Sequence, residues 1–174
     1  MKKLIVSMHK IRCYFILFLF FTFVNVGLSF SQPADFTGKW ILNKSKGDTI
    51  PSVSTFTLDI IQKGDSMIIY RIFDSSNREP LKRKESYNLN HKEGKKIKSI
   101  KRETTILAAW STDKQSFSII TILVPIDGSS KEFKRTETYS LLDDGKTLIQ
   151  TTEDSPREAV IKPNYITRMI FDKN

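Results

Sequence analysis

Arg135, Glu137 and Tyr139 stand two residues apart in the stretch FKRTETYSL, residues 133–141. Alternation along an extended chain places all three on one face, together with Phe133 and Leu141. Arg71 is set the same way in MIIYRIF, residues 67–73, where it shares parity with Met67, Ile69 and Phe73. A guanidinium on an otherwise apolar face is the group that takes a carboxylate or phosphate through paired N–H donors. If both faces point into a closed sheet, they describe a cavity with an apolar bottom and a partly polar top. Such a cavity suits a ligand with an acidic or polar head and an apolar body, with Arg71 or Arg135 as its anchor and Glu137 and Tyr139 beside it. Two other arrangements fit the same residues: Arg135 and Glu137 pair with one another, or bulges turn both to water. The set Phe56, Leu58, Met67, Ile69, Trp110, Phe117, Ile119 and Tyr139 lines a cup or fills a core equally well, because small barrels are either packed solid or hold one small ligand.

Catalytic chemistry has little to draw on. Beyond residue 31 the sequence holds no cysteine and one histidine, His91, which lies between Asn90 and Lys92-Glu93-Gly94 in an expected turn. Zinc would need a site built largely from carboxylates, which is unusual for that metal. A Ser-His-Asp arrangement would have to use His91, and no serine occupies a nucleophile-elbow pattern. Asp143-Asp144 sits where turn chemistry explains it. The expectation is a binding protein and not an enzyme, with no cofactor and no metal.

The elements that position these residues begin after a leader. Lys2, Lys3, Lys10 and Arg12 form a positive stretch, residues 13–28 (CYFILFLFFTFVNVGL) are apolar and uncharged, and Ser29-Phe30-Ser31 offers small residues for cleavage. Residues 1–31 are therefore expected to be a signal peptide, with export to the periplasm or the exterior; an uncleaved membrane anchor is the alternative. Cys13 lies inside the leader, so no disulfide is expected in the remaining chain. The leader takes four basic residues with it, which lowers the precursor's 28 basic against 19 acidic residues from a net +9 to 24 against 19, a net +5. Residues 32–174 are one domain's worth of chain.

Within that domain, short runs of β-branched and aromatic residues alternate with Gly, Asp, Asn and Pro. Residues 54–62 (STFTLDIIQ) turn through Lys63-Gly64-Asp65 into 67–73, a hairpin. Further strands are expected at 82–90, 95–110, 116–124, 133–141, 146–152 and 164–171, with residues 153–164 (EDSPREAVIKPN) as a loop. Connections this short make sequence neighbours antiparallel neighbours. The expected fold is all-β, an up-and-down antiparallel meander of about eight to ten strands, with the last strand closed onto the first to make a barrel.

Gly38-Lys39-Trp40 in DFTGKWILNKSK resembles the first-strand motif of the lipocalins. TETYSLLDDGKTLIQTT (136–152) and RMIFDK (168–173) follow in the expected order, and the chain resembles the small exported bacterial lipocalin-like proteins. The resemblance implies that Trp40 closes one end of the barrel, that a basic side chain of the last strand, Arg168, lies across its indole, and that Gly38 permits close approach there. It also implies a small, largely apolar or amphipathic ligand. The competing reading is a solid-cored barrel acting as a protein-interaction or inhibitor module through residues 75–80 (SSNREP) and 125–130 (PIDGSS).

The basic run from Lys92 to Arg102 (KEGKKIKSIKR) has no interleaved aromatic residues for base stacking, so nucleic acid is not an expected partner. Its Lys96, Lys98 and Arg102 share one strand parity, which fits a solvated face; an anionic lipid or acidic glycan surface is the alternative partner.

Overall fold

The computed structural model describes residues 32–174 except 52, 77, 91–93, 127–131, 143–144 and 157–164. The leader, His91, Asp143-Asp144 and most of the 125–130 and 153–164 segments lie outside the described residues. Ten strands follow one another: β1 (Gly38–Leu42), β2 (Thr55–Lys63), β3 (Ser66–Ser75), β4 (Arg78–Asn88), β5 (Lys95–Lys98), β6 (Arg102–Trp110), β7 (Ser116–Pro125), β8 (Phe133–Leu141), β9 (Thr147–Pro156) and β10 (Tyr165–Lys173). No helix occurs among the described residues. The alternation of β3 is typical of the set: Met67, Ile69 and Arg71 are buried, while Ile68 and Tyr70 between them are partly open. Gly64, at φ +59°, makes the tight turn from β2 to β3 in a backbone conformation that side chains disfavour.

The strands form one antiparallel sheet in the order β4-β3-β2-β1-β10-β9-β8-β7-β6-β5. β10 pairs with β1 as the sequence predicts, with Trp40 opposite Lys173 and Leu42 opposite Phe171. The sheet curls until β4 approaches β6. β4 and β5 remain its two ends, however, and no hydrogen-bonded ladder joins them. A seam therefore runs down the barrel wall.

Three boundaries differ from the sequence expectation. Residues 95–110 do not make one strand; they fold into the β5–β6 hairpin, closed where Ser99 donates from its backbone N and its Oγ to the carbonyl of Arg102, at 2.9 and 3.0 Å. Lys96 and Lys98 thus lie on a different strand from Arg102, and the shared face expected of them does not exist. β4 starts at Arg78 and includes Pro80, which an edge strand tolerates because its outer side has no ladder to supply. β9 continues to Pro156, so the 153–164 segment is strand for its first residues.

Candidate functional site

One end of the barrel, called the bottom here, is filled. Trp40, Met67, Phe117, Tyr139 and Leu148 are fully buried there. Tyr139 and Phe117 stack at 4.6 Å between centroids, and Phe36 meets Phe117 edge-on at 4.8 Å, both preferred aromatic geometries. Phe36 comes from the segment before β1, which crosses the barrel end. Its carbonyl accepts from Trp40 Nε1 at 2.9 Å, its amide donates to Gln62 Oε1 at 3.0 Å, and Gln62 Nε2 donates to the carbonyl of Ala34 at 3.0 Å. Trp110 donates from Nε1 to Asp65 Oδ1 at 2.9 Å, which ties β6 to the β2–β3 turn below the seam.

The cation over the Trp40 indole is Lys173, 5.1 Å from the ring centroid, and not Arg168. The reason is parity. Met169 and Phe171 point inward on β10, so Arg168 points out and is exposed, whereas Lys173 continues the inward set directly opposite Trp40. Gly38 makes room for it: a Cβ there would stand 2.9 Å from Lys173 Cε, and the backbone is at φ +145°. The glycine two residues before the tryptophan is thus a slot for the lysine stem.

Above this plug lies a polar layer. Arg71 on β3 is 8% exposed and reaches across the interior. Its Nε donates to Glu85 Oε2 on β4 at 2.8 Å, and its Nη2 donates to Glu137 Oε2 and to the Tyr139 hydroxyl on β8, both at 2.7 Å. Tyr87 donates to the same Glu85 oxygen at 2.9 Å, and Gln150 Nε2 on β9 donates to Glu137 Oε1 at 3.0 Å. Burial opposes the charge on Arg71, but Tyr139, Glu137 and Glu85 more than reverse this and raise its pKa well above the ordinary value. Burial likewise pushes the Tyr139 and Tyr87 phenols up, so both remain protonated at neutral pH. A charge buried this deeply persists only where partners surround it.

The polar layer forms one wall of a cavity of about 1370 Å³ that occupies the upper half of the barrel. Phe56, Phe73, Ile106, Leu123 and Met169 supply apolar lining, and Ile50 reaches it from the β1–β2 connection. On β4 the consecutive residues Arg83, Lys84, Glu85, Ser86, Tyr87 and Asn88 all border the void. A strand flanked on both sides shows only alternate residues to the interior, so the cavity extends into the β4–β5 seam. Arg135, half exposed near the rim, is held by Asp154 in a bidentate pair at 2.7 Å through both bonds.

Of the residues singled out by sequence, Phe56, Arg71, Arg135 and Glu137 border the cavity. Met67, Trp110 and Phe117 belong instead to the filled end, because the inward parity that selects them does not say at which height the void begins. Tyr139 is shared: its ring is stacked in the plug and its hydroxyl meets Arg71. The pairing between Arg135 and Glu137, one of the arrangements the sequence allows, does not form; Arg135 pairs with Asp154 and Glu137 with Arg71. Glu85, Tyr87 and Gln150 escaped sequence reasoning, although Gln150 shares parity with Leu148 and so breaks an apolar face. Among the described residues, no group of three or more His, Cys, Asp or Glu is arranged to hold a metal ion.

No family model matches the chain, and no curated protein matches it significantly. Among solved structures it is similar to a mutant of the fluorescent protein UnaG, at 13% identity and a TM-score of 0.50, over 80% of this chain and 96% of that one. The likeness is one of fold, an all-β antiparallel barrel. A secretary abundant heat soluble protein from Ramazzottius varieornatus is also similar, at 11% identity and a TM-score of 0.46, over 83% of this chain and 98% of that one. The all-β antiparallel meander expected from the sequence is the fold found.

Proposed function

We propose that the chain is an exported, lipocalin-like binding protein that holds one small, largely apolar molecule in the upper half of its barrel. The cavity carries this reading. Its volume of about 1370 Å³ exceeds the roughly 300–1,000 Å³ of sites for drug-sized ligands, and apolar and polar walls face one another across it. Burial of apolar ligand surface, at about 25 cal/mol per Å², supplies affinity, and the polar layer sets orientation. The test is native mass spectrometry of protein purified gently from a bacterial envelope, with identification of whatever is released on denaturation. A defined extra mass near one per chain is the expected result. A bare polypeptide that stays bare after incubation with mixed lipids and small apolar molecules overturns the reading and favours an interaction module. Processing is checked in the same spectrum, where a mass beginning at Gln32 is expected of an exported, cleaved product.

The tip of the β5–β6 hairpin supports a place of loading. Ile100 is 97% exposed there, between Lys98 on one side and Lys101 and Arg102 on the other. An apolar tip in a basic setting matches an anionic lipid surface. Co-sedimentation with phosphatidylglycerol vesicles but not with phosphatidylcholine vesicles is expected, and equal behaviour on both removes this part of the proposal.

A further inference from the structure

The polar layer has an unequal charge count. Within the buried layer one guanidinium, Arg71, is set between two carboxylates, Glu85 and Glu137; of the other cations that border the cavity, Arg135 is occupied by Asp154, and Arg83, Lys84 and Lys95 are exposed at its rim and seam. A ligand carboxylate brought to Arg71 would be the third around a single cation, in a setting where water screens like charges poorly. A second observation points the same way. Gln150 borders the cavity and is 1% exposed, and its Oε1 is buried without a hydrogen-bond partner. The amide cannot be turned to relieve this, because its Nε2 already donates to Glu137 Oε1 and a flip would set carbonyl against carboxylate. An acceptor left in that state is destabilising until a donor reaches it.

We infer that the polar layer receives the hydrogen-bond-donating end of the ligand, an ammonium or amide nitrogen. Its N–H groups meet Gln150 Oε1 and the carboxylates of Glu137 and Glu85, and the ligand's apolar body lies against Phe56, Phe73 and Met169. Arg71 then acts as the clamp that fixes the two carboxylates, and not as the anchor of an acidic head. The inference rests on the cavity being the ligand site, and it reverses the head-group chemistry expected from the sequence.

Three probes with one tail and different heads decide it: dodecylammonium, dodecanamide and dodecanoate. Each is titrated calorimetrically into the purified protein at high salt, which screens the exposed basic rim. Dodecylammonium is expected to bind one per chain at least about tenfold more tightly than dodecanoate, the scale of one charge-assisted hydrogen bond, with dodecanamide between them. Gln150→Leu should weaken dodecanamide while leaving dodecanoate unchanged, and Glu85→Gln should narrow the ammonium-to-carboxylate ratio. Glu137→Gln should narrow it further. The ranking on the unaltered protein stands even where Glu137→Gln fails to fold, and Glu85, a third exposed on its side chain, offers the milder variant. One-to-one binding of dodecanoate as tight as or tighter than that of dodecylammonium overturns the inference but keeps the cavity as a ligand site. No binding by any of the three overturns both.

Discussion

The two halves of this barrel are made by the same strands with the same alternation, yet one is solid and the other hollow. On β3 the inward series runs Met67, Ile69, Arg71, Phe73, and on β9 it runs Leu148, Gln150, Thr152, Asp154. Below the polar residues, aromatic rings from β6, β7, β8 and the N-terminal segment meet in stacked, edge-on and tilted contacts. Above them, the interior side chains are too few or too tied to one another to fill the space. A guanidinium held by two carboxylates and a phenol is a rigid shelf, and it stops the apolar core from collapsing upward. Packing is therefore concentrated at one end and open volume at the other, with Tyr139 at the boundary of the two.

Substitutions that act on one half and spare the other test this division. The largest effect is expected of Trp40→Ala, which should lower the unfolding free energy by about 3–5 kcal/mol in a urea titration, the range for large buried aromatics. Ligand binding by the remaining folded protein should persist; a loss below about 1 kcal/mol, less than core truncations of this size give, means the indole does not secure the bottom. Arg71→Met should follow at about 3 kcal/mol, because it leaves two carboxylates facing each other inside the barrel without their cation. Adding Glu137→Gln to that variant should recover part of the loss, and strict additivity of the two changes would show that the shelf is not a coupled unit.

At the rim, Arg135→Ala should shift the thermal midpoint by no more than about 3 °C, since the pair with Asp154 is half solvated. A shift several times larger would place Arg135 in the shelf and not at the mouth. The smallest effect concerns acid. The Thr37 side chain and amide hold Asp35 below its ordinary value of 3.8, as Asn43 and Lys46 hold Asp172. A depressed folded pKa gives stability that is complete above the ordinary value and fades as pH falls through the lower folded one. The midpoint should therefore be level down to about pH 4 and decline below it. Asp35→Asn should flatten the decline slightly, and an unchanged profile for that variant would remove Asp35 from the account.

The sequence carried the alternation well and the third dimension poorly. Arg71, Glu137 and Tyr139 were legible as inward residues because a strand has only two faces. Their partners were not: Glu85 and Gln150 come from the next strand in sequence, but the register that sets Glu85 opposite Ile69 and Gln150 opposite Tyr139 has no mark in spacing alone. Lys173 and Arg168 differ by a parity that depends on where β10 meets β1, a long-range register with no local mark. The fold-back between β5 and β6 was missed because Ser99-Ile100-Lys101 contains neither Gly nor Pro, and a serine closes the turn. Phe36 was missed because it belongs to no strand, although its apolar ring just before Gly38 was a visible hint.

The seam has a mechanical meaning as well. Everywhere else around the wall, widening the barrel would break a ladder of backbone hydrogen bonds. Between β4 and β5 there is no ladder to break, and the tie between Trp110 and Asp65 lies beneath the cavity. The wall's compliance is thus gathered along one line that runs beside the void, and that line can part while every strand pair stays zipped. Under the proposed binding function, exchange of a bound molecule is set by side chains parting along that line, and its rate is separated from the stability of the fold.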